Sequence, residues 1–315
     1  MTLPGTFYEF FMLLIIEQLL NGLQLGITLF LMSAGLTLVF GIMRVINLAH
    51  GSFYMIGAYV GATVAARTGS FLLAIPAAIA AAALVGAIVE VVILRHLYKR
   101  EHLDQVLATF GLIMFFNELT LIIWGRQPLF MDVPGWLSTS IEILPGLPYP
   151  TYRLAVIGVG LFVALALWLL FAKTRAGMKI RAGASNRDMI GALGVNINLL
   201  YTLVFSLGAL LAGLAGVMAG PILAVESGMG ESILILTFVV IVIGGIGSIR
   251  GAVAGALLVG MVDTLGRAFL PSLLNLVLES STADSLAASL ASMAIYILMA
   301  VILVWKPRGL FPAHA

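Results

Sequence analysis

The stretch KTRAGMKIRAGASNRDMIGALGVN, residues 173–196, decides how the rest of this chain is read. It carries Lys173, Arg175, Lys179, Arg181 and Arg187 inside a polypeptide that is otherwise almost all hydrocarbon. Ser185 and Asp188 have the S-x-x-D spacing of a capping box, which predicts a short helix capped at Ser185. Met189, Ile190 and Leu193 give that helix an apolar face, and Gly194 gives it a C-terminal stop before Asn196. A helix this short is unstable alone and needs a surface to dock on. The segment reads as a basic elbow presented by a membrane protein to a cytoplasmic partner.

The surrounding composition points the same way. Hydrophobic residues make up 62% of the 315 and charged residues 10%, with mean hydropathy +1.14, whereas a soluble domain has about 25% charged residues. The net charge of +2 comes from basic residues in short loops between apolar spans, a pattern that sets membrane orientation and argues against nucleic-acid binding. With no cysteine, disulfides, thiolate catalysis and Cys-ligated zinc are excluded. Met1 to Phe10 has neither a basic n-region nor a small-residue cleavage site, so it is expected to be retained.

A membrane span needs about 20 mostly apolar residues. Nine segments qualify: 20–43, 50–66, 70–94, 104–124, 153–172, 198–224, 231–248, 251–270 and 286–305. The predicted fold is all-α, a polytopic transmembrane bundle of about eight to nine spans with broken or re-entrant helices, forming one domain over residues 1–315. Residues 7–19 are a shorter apolar segment that lies at the interface, extends the first helix or makes half a span. With 173–196 in the cytoplasm, alternation puts Arg44, Arg95, Lys99, Arg100, Lys173, Arg175, Lys179, Arg181, Arg187, Arg250, Lys306 and Arg308 inside, which is 12 of the 16 Lys and Arg. Arg67, Arg126, Arg153 and Arg267 stay outside, as the positive-inside rule requires. The N-terminus then faces the periplasm and the C-terminus the cytoplasm. The outer loop 125–152 carries Pro128, Pro134, Pro145, Pro148 and Pro150, which predicts turns and no helix. It is either a landing surface for an extracytoplasmic partner or a plain connector.

Polar residues interrupt the hydrocarbon at a few places. Asn47, His50, Gly51 and Ser52 break the pattern between the first two spans, with Asn21 and Gln24 at the other end of the first. Non-helical backbone at membrane depth is tolerated where protein buries it or where it lines a wet cavity, so this break is read as facing a pathway. The alternative is that Asn47 and His50 are interfacial loop polars. A lone His is no metal site. Glu118 and Asp263 lie inside apparent spans, where carboxylates face the bundle interior with a partner. For Asp263 a structural hydrogen bond is the better reading, and for Glu118 the two readings balance. Glu90 and Arg95 are accounted for by snorkelling at an inner helix end. Most glycines serve close helix packing. The run Ile243 to Gly251 is denser than packing requires and predicts a second unwound stretch at Gly245, Gly247 and Ser248. Gly51-Ser52 with Gly57 and Gly61 is echoed by Gly247-Ser248 with Gly251 and Gly255, in the two halves of the chain where a repeat-built transporter places its broken helices.

No G-x-x-x-x-G-K-[ST] loop occurs, and no catalytic constellation is visible. The chain is therefore not read as an enzyme. Either solute passes through it passively or with an ion, or a separate ATPase works on it.

The run Asn21-Gly22-Leu23-Gln24-Leu25-Gly26, followed by Gly35-Leu36-Thr37-Leu38-Val39-Phe40-Gly41 and Ile46-Asn47-Leu48-Ala49-His50-Gly51, resembles the opening of the branched-chain amino acid ABC transporter permeases of the LivH type. The resemblance continues through Arg175-Ala176-Gly177-Met178, Arg181-Ala182, Gly194-Val195-Asn196, Gly244-Gly245-Ile246-Gly247-Ser248 and the ending Lys306-Pro307-Arg308-Gly309-Leu310-Phe311, so it spans nearly the whole chain. Ser52-Phe53 follows His50-Gly51 where an acidic residue is often seen, and similar permeases serve urea, amides and aromatic acids, which leaves the cargo open.

The resemblance implies a permease subunit in a bacterial inner membrane, with no cofactor of its own. It would pair with a second, homologous permease and be fed by a periplasmic solute-binding protein. Two cytoplasmic ATP-binding subunits would hold ATP and Mg. Ser185 to Gly194 would be the coupling helix, carrying Arg187, Asp188, Ile190 and Leu193, with Arg175, Lys179 and Arg181 on the ATPase surface. The pathway candidates are Asn21, Gln24, Asn47, His50, Gly51, Ser52, Glu118, Gly245, Gly247 and Ser248. An ion-coupled secondary transporter or small-solute channel is the other class, favoured by the broken helices, Glu118 and Asp263.

Overall fold

The computed structural model describes residues 4–43 and 45–312, and of residues 4–8, 10 and 188 the backbone alone. Arg44 thus lies outside the described residues. The described chain is helical almost throughout: α1 (Pro4–Met43), α2 (His50–Thr68), α3 (Phe71–Leu97), α4 (His102–Trp124), α5 (Thr151–Lys173), α6 (Arg175–Ser185), α7 (Arg187–Ala192), α8 (Ile197–Ala219), α9 (Met229–Gly244), α10 (Ile249–Leu274) and α11 (Ser280–Trp305). Seven of them, α1, α3, α4, α5, α8, α10 and α11, are long and apolar enough to cross a membrane. The two more polar or shorter helices, α2 and α9, complete the nine expected segments.

Local chemistry sets most of the boundaries. Ser70, Asn196 and Ser248 accept backbone N–H bonds that start α3, α8 and α10, the satisfaction a helix start requires. Residues 7–19 extend the first helix. At 40 residues, α1 is about 60 Å long, twice the hydrocarbon thickness. The segment expected over 198–224 instead ends at Ala219, and the chain runs on without helix to Gly228, whose φ is 92°.

Burial inverts the usual composition. The first two thirds of α2 are buried, from His50 to Ala62 with little break, and α8 is buried along most of its second half. The apolar α4, α5 and α11 stand at the periphery with exposed Leu107, Phe110, Phe162, Trp168 and Ile297. Hydrocarbon tails accept such side chains, so small and polar residues are free to fill the helix crossings inside.

Loop contacts sort into two sides. Leu129 and Val225 form a bridge between loop 125–152 and the segment after α8. Gly69 and Ser70 line a cavity of about 390 Å³ together with Phe130 to Trp136, and Tyr149 bonds to Asn21 in the first half of α1. At the other ends of the helices, Gly41 abuts Gly247, Leu310 and Phe311 donate to the carbonyls of Ile243 and Gly244, and Thr202 bonds to Glu90. Each of these contacts joins loops that strict alternation of nine segments assigns to one side, whereas Gly51 at the start of α2 meets Gly230 at the start of α9, two ends that alternation assigns to opposite sides. Loop 125–152 also holds a hairpin, β1 (Ser140–Leu144) with β2 (Leu147–Pro150), which its prolines concealed. Pro148 and Pro150 sit on a two-stranded ribbon where one ladder edge needs no donor.

Candidate functional site

The elbow consists of two helices. Thr174 caps α6 by accepting from Gly177 N at 3.0 Å. A Cβ at Gly177 would collide with the Leu170 and Phe171 backbone, so glycine lets α6 fold tightly against the end of α5. Gly177, Ile180, Gly183 and Ile190 face the protein, while Arg175, Lys179, Arg181, Ser185 and Arg187 face out. Met178, Met189 and Leu193 are 58%, 65% and 78% exposed, an unusual density of apolar side chains beside four cations.

The helix cap differs from the sequence expectation. Asn186, not Ser185, caps α7, accepting from Met189 N at 2.9 Å. Ser185 is the last residue of α6, a helix the capping-box reading did not foresee. The Asp188 side chain is outside the described residues. Gly194 ends α7 with φ 85°, and Val195 N returns to Ile190 O. Asn186→Ala should cost about 1 kcal/mol of local stability, speeding amide exchange over residues 189–192 about fivefold. Ser185→Ala should leave that exchange unchanged.

The pathway candidates do not form one group. Asn47 and His50 are fully buried. His50 Nε2 lies 3.2 Å from Met32 O, while His50 Nδ1 and both Asn47 side-chain polar atoms have no partner among the described residues. The α1–α2 break is thus enclosed by protein. Asn21 is held by Tyr149 and Arg153, and Gln24 reaches Thr28, both near the middle of α1 and well removed from the break. Gly245 (φ 105°) and Gly247 (φ 83°) turn the chain between α9 and α10, and Ser248 caps α10. Their neighbours are the tail residues Arg308 and Phe311 for Gly245, and Gly41 for Gly247.

Gly51 and Ser52 do meet other polar groups. They line a crevice with Leu48, Ile113, Asn117, Gly230, Glu231 and Leu234. Asn117 Nδ2 donates to Glu231 Oε1 at 2.5 Å, and Ser227 Oγ donates to Asn117 O. Glu118 stands apart from this group: it is exposed on the other flank of α4, because one helical step rotates it away from Asn117. Glu231 is the first residue of the apolar segment 231–248 and was not among the pathway candidates.

The family model for "Branched-chain amino acid transport system / permease component" matches residues 18–304. The chain belongs to the branched-chain amino acid transport permeases. This permease is 33% identical over 263 residues to the high-affinity branched-chain amino acid transport system permease protein BraD of Pseudomonas aeruginosa, covering 80% of this chain and 86% of that protein. It is 32% identical to LivH of Escherichia coli (81% and 87% covered) and 28% identical to the ribose import permease protein RbsC of E. coli (79% and 77% covered). No solved structure matches. The family and the seven apolar helices make it a multi-pass membrane protein.

Near the elbow, the permease buries Glu90 completely, where the reading by snorkelling left it at the interface. Glu90 lies at the start of a π-helical turn, Glu90–Leu94. It accepts from Arg95 Nη2 at 3.1 Å, Tyr98 OH at 2.6 Å and Thr202 Oγ1 at 2.6 Å. Burial, and then the bond to Glu90, push the Tyr98 phenol up, so it remains a donor. Asp263 pairs with Arg267 at 2.9 Å, in line with a structural role. Glu90→Ala should destabilise the purified permease by about 2 kcal/mol or more in thermal unfolding. That is below the cost for a fully buried pair, because Arg95 keeps 31% of its side chain open.

Proposed function

We propose that the chain is the transmembrane permease subunit of an ABC importer for branched-chain amino acids or related small polar solutes. It takes cargo from a periplasmic solute-binding protein and pairs with a second homologous permease subunit. Two ATP-binding subunits, holding ATP and Mg, drive it and perform the hydrolysis. Residues 1–315 act as one domain, with 125–152 and the N-terminus in the periplasm and 173–196 and the C-terminus in the cytoplasm. The two-sided sorting of the loops and the 12 inner Lys and Arg support this orientation.

The observation that carries the reading is the elbow, where exposed Met178, Met189 and Leu193 stand beside Arg175, Lys179, Arg181 and Arg187. Apolar side chains ringed by charge fit a protein groove. Closure of the ATP-binding subunits tilts α7 as a rigid body, and α8, joined to it through Val195 and Asn196, passes the tilt into the bundle. A secondary transporter draws less support, since Asp263 and Glu90 already have Arg partners within this chain.

Proteoliposomes holding the purified chain, the second permease, candidate ATPases and the binding protein should concentrate leucine only with ATP. The same vesicles without ATPases should concentrate none. Ion-driven accumulation without any ATPase would replace this reading by the secondary transporter.

A further inference from the structure

The crevice between α2, α4 and α9 contains a carboxylate that the described chain does not neutralise. Glu231 is in neither ion pair found among the described residues. Its Oε1 takes the Asn117 bond, while its Oε2 is buried and has no donor. The remaining wall is the Ser52 side chain, the backbone of Gly51 and Gly230, and Leu48, Ile113 and Leu234.

Helix length explains the depth of this group. With 16 residues, α9 is about 24 Å long and falls short of a hydrocarbon core of about 30 Å. Asn117 lies seven residues before the end of α4 at Trp124, about 10 Å along the helix. Unpaired carboxylates at such depth are costly, and those that persist mark a solute or ion path.

The crevice is too narrow to admit a water-sized sphere. Any Cβ on Gly51 or Gly230 would strike the other's backbone, so α2 and α9 close on each other directly. The third wall, α4, packs chiefly on α2 and exposes Phe110, Met114 and Phe115 on its far face. Parting α4 from α2 opens the crevice without unfolding a helix.

We infer that this crevice is the station in the path that receives the primary ammonium group of the cargo, with Glu231 Oε2 as its acceptor and Asn117 and Ser52 beside it. The inference rests on the importer reading and narrows its cargo to solutes bearing such a group, amino acids rather than urea, amides or sugars. An ammonium offers three N–H donors, for which Glu231 Oε2 and the side-chain oxygens of Asn117 and Ser52 are the acceptors at hand. A bare divalent cation takes six or more oxygens, which a wall of Leu48, Ile113 and Leu234 does not offer.

The absence of cysteine makes single-thiol reporters clean in this chain. Leu234→Cys in the assembled, ATP-hydrolysing transporter would be treated with 2-aminoethyl methanethiosulfonate, an ammonium, and with neutral methyl methanethiosulfonate. The ammonium reagent should be favoured at least about tenfold relative to a free thiol, and Glu231→Gln in the same background should remove the preference. Leucine should protect the thiol, and 4-methyl-2-hydroxypentanoate, its analogue without the ammonium, should not. Ser52→Cys gives a second reporter if Leu234→Cys does not assemble. An active transporter with no cation preference, with equal protection by both solutes, or with neither thiol labelled overturns the inference alone. A parent complex that takes up urea, an amide or a sugar with ATP but no amino acid overturns the inference and leaves the importer reading standing, whereas one that takes up no solute with ATP removes the importer reading along with it.

Discussion

Ile190→Pro should abolish ATP-driven uptake by the assembled transporter while the binding protein still delivers cargo to it. Ile190 is the fourth residue of α7, and its N–H bonds to Asn186 O at 3.2 Å. Proline removes that bond and sets its ring against the same carbonyl, at a cost of about 3 kcal/mol or more in a helix interior. A six-residue helix has little to set against such a loss. The buried Ile190 side chain is also what seats α7 on the bundle. ATP hydrolysis by the partner subunits should continue but lose its response to loaded binding protein. Uptake by the proline variant at the parental rate would refute the lever.

Gly57→Val should cost the fold itself. A Cβ at Gly57 would overlap the Gly213 Cα, carbonyl carbon and oxygen, and Gly213 in turn faces Ala82 and the Ala78 carbonyl. Three helices, α2, α8 and α3, therefore cross where only backbone and methyl groups fit. Lipid exerts no hydrophobic pressure to drive helices together, so contact at such crossings has to hold them. Backbone cannot move aside as a side chain does, and the expected loss is about 3 kcal/mol or more. It would be read as a lowered unfolding temperature and a smaller monodisperse fraction in detergent. Gly158→Val, at a position where a Cβ meets nothing within 4 Å, is the control and should behave as the parent.

The fold was largely legible because seven spans announce themselves by length and apolarity, and because loop charge fixes a consistent alternation. Helix boundaries were less legible where two caps compete. Ser185 and Asn186 are adjacent and both cap well, and only the formation of α6 through Ser185 decides for Asn186. The site was less legible still. Hydropathy records how polar a position is but not which way it points, so Glu118 attracted notice over Asn117 although one step of α4 separates outside from inside. Glu90 was missed for a related reason: its donors Tyr98 and Thr202 come from residues that carry no charge and, for Thr202, from a distant helix. The short α9 placed Glu231 below the surface, a depth no window of sequence states. The glycine-rich turn was anticipated, but its occupant was not, because a tail that pairs through backbone leaves no side-chain signature.

That tail has a bearing on biogenesis. The carbonyls of Ile243 and Gly244 receive their donors from Leu310 and Phe311, residues the ribosome supplies only after two further helices have been threaded into the lipid. Until then the bend is an open seam within a nearly finished protein. A nascent chain that stalls before Leu310 leaves this seam unsewn, so a membrane protease that probes loose helix ends could tell an aborted copy from a complete one.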